Sequence, residues 1–249
     1  MALQSAVSKP VVPSDVECSL SVDLHDLRFR SLLPHHDWRR LPRATRRRFS
    51  KRLADGRTAI YAGEVIDVGF SRIGWWLAQI ARLIGGPLPT SIDIHVPSIV
   101  TVTEDVRTSG QIWTRIYARR NGFPQVIHSS KRFAGRTGLE EYLGLGFGMA
   151  LQTAVEDGAM VFRSAGYFLQ IGRMKFALPA LLTPGLLTVT HRDLGDEQFQ
   201  FSLELNHPRF GSLIRQTAVF REARHDVIGA VDFDRSSDRD GSVRHVLSS

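Results

Sequence analysis

Between residues 58 and 221 apolar and polar positions alternate with a period of two, and glycine, proline and asparagine interrupt the alternation at short intervals. That period puts successive side chains on opposite faces of a pleated strand. It predicts strands over 58–68, 92–106, 111–118, 125–133, 139–147, 159–171, 187–194, 198–206 and 213–221. Within 111–118, Ile112, Thr114 and Ile116 fall on one face and Trp113, Arg115 and Tyr117 on the other. Asn121-Gly122, the 194–198 segment and the 206–211 segment carry turn chemistry. Connections this short favour antiparallel pairing.

One stretch breaks the period. Residues 71–84 place Ile73, Trp76, Leu77, Ile80, Leu83 and Ile84 at helical spacing, with Ser71 as N-cap and Gly85-Gly86-Pro87 as the stop. Gly135, Gly138, Gly144, Gly146, Gly148, Gly158, Gly166 and Gly172 fall in or beside strand-like runs, where glycine marks bends and bulges. The expected fold is therefore mainly β: a single-domain, strongly curved antiparallel sheet or partial barrel of about eight or more strands. It carries one substantial helix packed in or across its mouth.

The ends lack this patterning. Residues 1–34 read as a mobile leader, with one amphipathic piece at 22–33 that docks or forms a helical turn. Residues 35–223 form the domain, and 224–249 read as a polar, disordered tail. The total of 249 residues, 43% hydrophobic and 23% charged, agrees with one globular unit and excludes a wholly disordered chain. Cys18 is the sole cysteine, which excludes an internal disulfide and a cysteine-based zinc finger. The longest apolar stretch, 176–189, contains Pro179, Pro184 and Gly185 and falls short of the roughly 20 residues of a membrane-spanning helix. The first fifteen residues lack a charged region followed by an apolar run, so a cytoplasmic location is expected, with peripheral membrane association as a refinement.

The net charge of +7 is concentrated in one place. Arg39, Arg40, Arg43, Arg46, Arg47, Arg48, Lys51 and Arg52 lie between 39 and 52 with no acidic residue among them. Such a block suits an anionic membrane surface, or is a solvated segment with no partner. Only Trp38 and Phe49 supply aromatic residues nearby, and no reading helix follows, which argues against nucleic acid.

The chemistry-bearing motifs are mostly negative. Gly144-Leu-Gly-Phe-Gly148 lacks the further glycine of a dinucleotide loop, since Met149 follows, and reads as bent strand. There is no phosphate-binding GxxxxGK[ST] loop, no nucleophile elbow and no HExxH. His95, His128, His191 and His207 are isolated. No metal site and no cofactor are predicted, and no catalytic residue is identified. The candidate ligand-binding set is Trp113, Arg115, Tyr117, His128, Glu140, Tyr167 and His191, because an apolar pocket carries a few placed polar groups that orient its ligand. Residues 176–187, apolar but broken by two prolines, are either a buried loop or a lid over a cavity.

Trp113-Thr-Arg115 followed by a strand, Glu140 before a glycine-rich strand, Leu178-Pro179, Pro184 and His207-Pro-x-x-Gly211 together resemble the family called domain of unknown function 4166, over about 35–222. The resemblance implies one β-rich domain. It also implies an association with oxidoreductases, since members occur alone or fused to saccharopine-dehydrogenase-like domains. The expected function is a non-catalytic binding module for an apolar or amphipathic, lipid-like small molecule at a membrane surface. The alternative is an enzyme or accessory subunit acting with an oxidoreductase partner, with Arg115, His128, Glu140 and His191 as its acid–base cluster.

Overall fold

The computed structural model describes residues 26–53 and 57–223. The strands are β1 (Thr58–Phe70), β2 (Val96–Asp105), β3 (Gly110–Tyr117), β4 (Gln125–Arg132), β5 (Glu140–Gly144), β6 (Phe147–Glu156), β7 (Ala159–Ile171), β8 (Met174–Ala177), β9 (Leu186–Gly195), β10 (Gln198–His207) and β11 (Gly211–Glu222). All pairings are antiparallel, in the order β6-β5-β4-β3-β2-β1-β11-β10-β9-β7-β8, and β6 also pairs with β7. Ten strands thus close into a barrel, and β8 hangs on β7 as a short flap. Closure removes the open sheet edges that a partial barrel would leave.

Register shifts bend the wall sharply, at Val65/Asp67 in β1 and at Ala150/Leu151 in β6. The stretch read as one strand over 139–147 holds β5, a turn and only the start of β6, which runs on to Glu156 and was not among the expected strands. Leu145 (φ 47°) and Gly146 (φ 81°) turn the chain between β5 and β6. A Cβ on Gly146 would lie 2.2 Å from the Gln170 carbonyl oxygen, so the turn accepts only glycine there. The seam between β7 and β9 is only partly zipped. The pairs Met160–His191 to Arg163–Thr188 are formed. Beyond them Ser164 Oγ accepts from the Leu187 N–H (3.0 Å) and the strands part.

The predicted helix is α4 (Arg72–Ala81), continued by a 3₁₀ turn over Arg82–Ile84. Ser71 caps it by accepting from the Gly74 N–H (3.0 Å). Of the apolar stripe only Leu77 packs against the core cluster, and the buried face is Gly74, Ala78 and Ala81. Gly74 lies so close to β11 that a Cβ would stand 1.9 Å from the Leu213 carbonyl oxygen. The large residues of the stripe are left to line the barrel mouth or face solvent.

The opposite end is shut by three short helices, α1 (Arg28–Ser31), α2 (His35–Arg40) and α3 (Arg43–Phe49). Residues 26–34, expected to belong to a mobile leader, are part of the fold here. Phe29 is buried, edge-on to Phe49 and Phe133 (5.2 and 4.9 Å between ring centroids). The expected leader over 1–25 and tail over 224–249 lie outside the described residues. Buried side chains fall into two clusters. One joins these helices to β6, β7, β9 and β11; the other fills the flattened side between β1, β2, β3, β10 and β11. Among the described residues no helix is long and apolar enough to cross a membrane.

Candidate functional site

A cavity of about 480 Å³ runs from the α4 end of the barrel toward the α3 plug. Its walls are mostly aliphatic and aromatic, including Ile127, Phe147, Met149, Leu187, Val189, Phe201, Leu203 and Leu205. Phe49 forms its floor, and α4, Leu178 and Leu181 to Pro184 form its mouth. The segment 176–187 is thus a cover and not a buried loop. Leu181 is 79% exposed. The segment is hitched to the wall by Tyr167, whose hydroxyl donates to the Gly185 carbonyl (2.9 Å), and by the Leu178 N–H bond to the Tyr167 carbonyl (2.8 Å).

Trp113, Arg115 and Tyr117 all line this cavity, as the alternation along β3 requires. Tyr167 and His191 line it too. His128 and Glu140 do not. His128 is exposed on the outer face, with Nδ1 3.0 Å from Thr114 Oγ1. Glu140 is buried outside the cavity, where Lys175 (2.5 Å) and the Tyr142 hydroxyl (2.9 Å) bind its carboxylate. The physical reason is strand phase. Ile127 points inward, so its neighbour His128 must point outward. In β5 the inward carboxylate is Glu141. The four-residue acid–base cluster of the alternative reading is therefore not assembled, because two of its members face away from the other two.

Two inward charges escaped the sequence reading, Lys131 and Glu141. They belong to a row of directly opposed residues around the wall: Gln111, Lys131, Glu141, Met149 and Tyr167. The Glu141 carboxylate takes Lys131 Nζ at 2.8 Å on one oxygen and Arg115 Nη2 at 3.3 Å on the other. Arg115 Nη1 also reaches Ser129 Oγ (3.3 Å). The side chains of Arg115, Lys131 and Glu141 are only 12%, 8% and 6% exposed. Burial by itself would raise the Glu141 pKa, but Lys131 and Arg115 outweigh it and hold it at about 2. Lys131 is pulled below the ordinary lysine value, first by burial and further by the Arg115 charge, against the attraction of Glu141. Alternation in β4 carries the signal that was missed. Ile127, Ser129 and Lys131 share a face, so a basic residue was bound to enter the barrel.

His191 closes the lower end. Its ring stacks on Phe199 (4.4 Å) and meets Phe49 edge-on (5.1 Å). Nδ1 is buried with no hydrogen-bond partner. Burial, and then the nearby Arg48 cation, push its pKa well below the usual histidine value, so it is neutral. Arg48 lies on the other face of this aromatic layer, with Cζ 3.9 Å from the Phe199 centroid. A satellite pocket of about 40 Å³ adjoins it.

The family model Domain of unknown function (DUF4166) matches residues 41–220, and the chain belongs to that family. The matched span runs from just before α3 into β11 and so takes in nearly the whole barrel. No curated protein and no solved structure matches the chain.

Proposed function

We propose that this member of the DUF4166 family binds an apolar or amphipathic, lipid-like small molecule inside its barrel and meets that ligand at a membrane surface. The observation that carries the reading is the 480 Å³ cavity with apolar walls and one buried charged cluster. Small-molecule sites are typically about 300–1,000 Å³ in volume, apolar, and fitted with a few orienting polar groups.

The rim of the cavity supports the second half of the proposal. Among the large exposed hydrophobics of the described residues, Ile73, Ile80, Leu181, Leu182 and Phe210 line the cavity, and Trp76 and Leu83 stand on α4 and its 3₁₀ turn. Exposed Arg72, Arg82, Arg120, Arg173 and Arg209 stand between them. Apolar side chains set among cations suit an interface with anionic lipid, where burial and charge attraction act together. The basic segment 39–52 is at the far end of the barrel and is partly used internally. Lys51 and Arg47 pair with Glu222, and Arg48 is turned inward over Phe199. The open rim is the better docking face, because contact there would also deliver a ligand to the mouth.

Native mass spectrometry of protein purified without detergent tests the cavity. A discrete small-molecule adduct is expected in the wild type and not in Leu203→Trp, which fills the cavity. As a second readout, the fluorescence of the amphiphile 1-anilinonaphthalene-8-sulfonate should rise with the wild type and much less with the filled variant. Absence of any adduct, together with probe binding that ignores Leu203→Trp, would remove the reading.

A further inference from the structure

We propose that the ligand is a single-headed anionic amphiphile, with the chemistry of a long-chain carboxylate, and that it enters head-first. Its anionic head then lies against Arg115 and Lys131, and its hydrocarbon chain points back toward α4 and the 178–184 cover. This rests on the cavity being a ligand site, and it adds the charge and direction of the ligand.

The first argument is charge balance. Two cations and one carboxylate are enclosed together, each side chain almost wholly out of water. With both cations charged, one positive charge has no partner among these three groups; burial and the Arg115 charge accordingly pull the Lys131 pKa down, and an anion beside Lys131 would favour its charged form. An uncompensated buried charge is heavily penalised, and proteins normally pair it. The partial substitutes present are weak: Lys131 Nζ is 5.0 Å from the Trp113 ring centroid, and Arg115 Cζ is 6.0 Å from that of Phe201.

Donor capacity gives the second argument. A guanidinium carries five N–H donors and an ammonium three. Between them Arg115 and Lys131 have as acceptors Glu141 and, at the long distance of 3.3 Å, Ser129. Glu141 is shared by the two cations, and both of their side chains line the cavity. Two adjacent cations are a suitable pair for one carboxylate.

The third argument fixes direction. Lys131 and Glu141 lie toward the plugged ends of β4 and β5, next to Arg132 and Glu140, the last pair in their ladder. The side chains lining the cavity at its mouth include Ile73, Ile80, Ile84, Leu181 and Leu182, and the arginines of the rim are exposed to solvent. A ligand with its head at the mouth would leave the buried cations facing its hydrocarbon chain. The reverse orientation satisfies both ends.

The test compares dodecanoate with dodecanol by isothermal titration calorimetry at pH 7.5, where the acid is ionised and the alcohol carries the same chain uncharged. The wild type should favour dodecanoate at least tenfold. Lys131→Met should abolish most of that preference while still binding dodecanol. Glu141→Gln should keep or increase it, because the competing internal carboxylate is gone. Equal affinity for both probes in the wild type would overturn the charge assignment and leave the cavity reading standing. Binding of neither probe would sink the cavity reading itself. Loss of the preference in Glu141→Gln would overturn the assignment of the head to the cation pair.

Discussion

Replacing Glu141 by glutamine tests the buried charge cluster most directly. The amide keeps the shape of the carboxylate but removes the anion that pairs with Arg115 and Lys131. Removing one partner of a buried ion pair typically costs about 3–5 kcal/mol. A second route gives a similar figure. The Glu141 pKa stands at about 2 against an ordinary 4.5, and that gap converts to roughly 3 kcal/mol, since one unit is about 1.4 kcal/mol. We expect Glu141→Gln to lose about 3 kcal/mol at pH 7 by urea unfolding, and its melting temperature to fall by roughly 6–12 °C. The domain should still fold, because typical stabilities are about 5–15 kcal/mol. The folded pKa is depressed, so the contribution of Glu141 is complete above about pH 4.5 and is lost as pH falls toward 2. The gap between wild type and variant should therefore close over that window. Added dodecanoate should recover part of the loss in the variant, since its carboxylate supplies the missing anion. A difference below about 1 kcal/mol at pH 7, against the 3–5 expected for a broken buried pair, would refute the reasoning. A difference that persists unchanged at pH 2 would refute it too.

Phe49→Ala should cost about 3–5 kcal/mol, because the ring is buried among Phe29, Phe162 and His191; equilibrium unfolding measures it, and a near-neutral result would mean that α3 does not plug the barrel. His191 is held neutral with its pKa well below 6.5, so unfolding takes up a proton and wild-type stability should fall as pH drops from 6.5 toward 4.5. His191→Phe should flatten that part of the profile, and an identical slope in both proteins would contradict the burial argument. Co-sedimentation with vesicles containing phosphatidylserine should weaken in Trp76→Ser/Leu181→Ser and with rising salt, whereas Arg39→Gln/Arg40→Gln should leave it little changed. Binding that follows the arginine variant and not the rim variant would transfer docking to the plugged end.

The strands and α4 were legible because their causes are local. Alternation over a few residues sets which elements form, and Ser71 and the Gly85-Gly86-Pro87 stop delimit α4 without help from the rest of the chain. The same alternation put Trp113, Arg115 and Tyr117 on one face, and the barrel turned that face inward. The helices α2 and α3 were harder to see, since the arginines of the basic segment dominate its composition. Yet Trp38, Leu41, Thr45 and Phe49 recur every three or four residues, and all four are buried. What no local pattern could settle were the pairings of β1 with β11 and of β7 with β9, which join strands distant in sequence and complete the barrel. Phase was equally non-local in β5. Glu140 and Glu141 are adjacent acids, and composition cannot say which one faces in. The bulge between Tyr142 and Gly144 and the register of Lys131 with Glu141 decide it. A strand shows its two faces in its own sequence, but only its neighbours across the sheet determine which face is the inside.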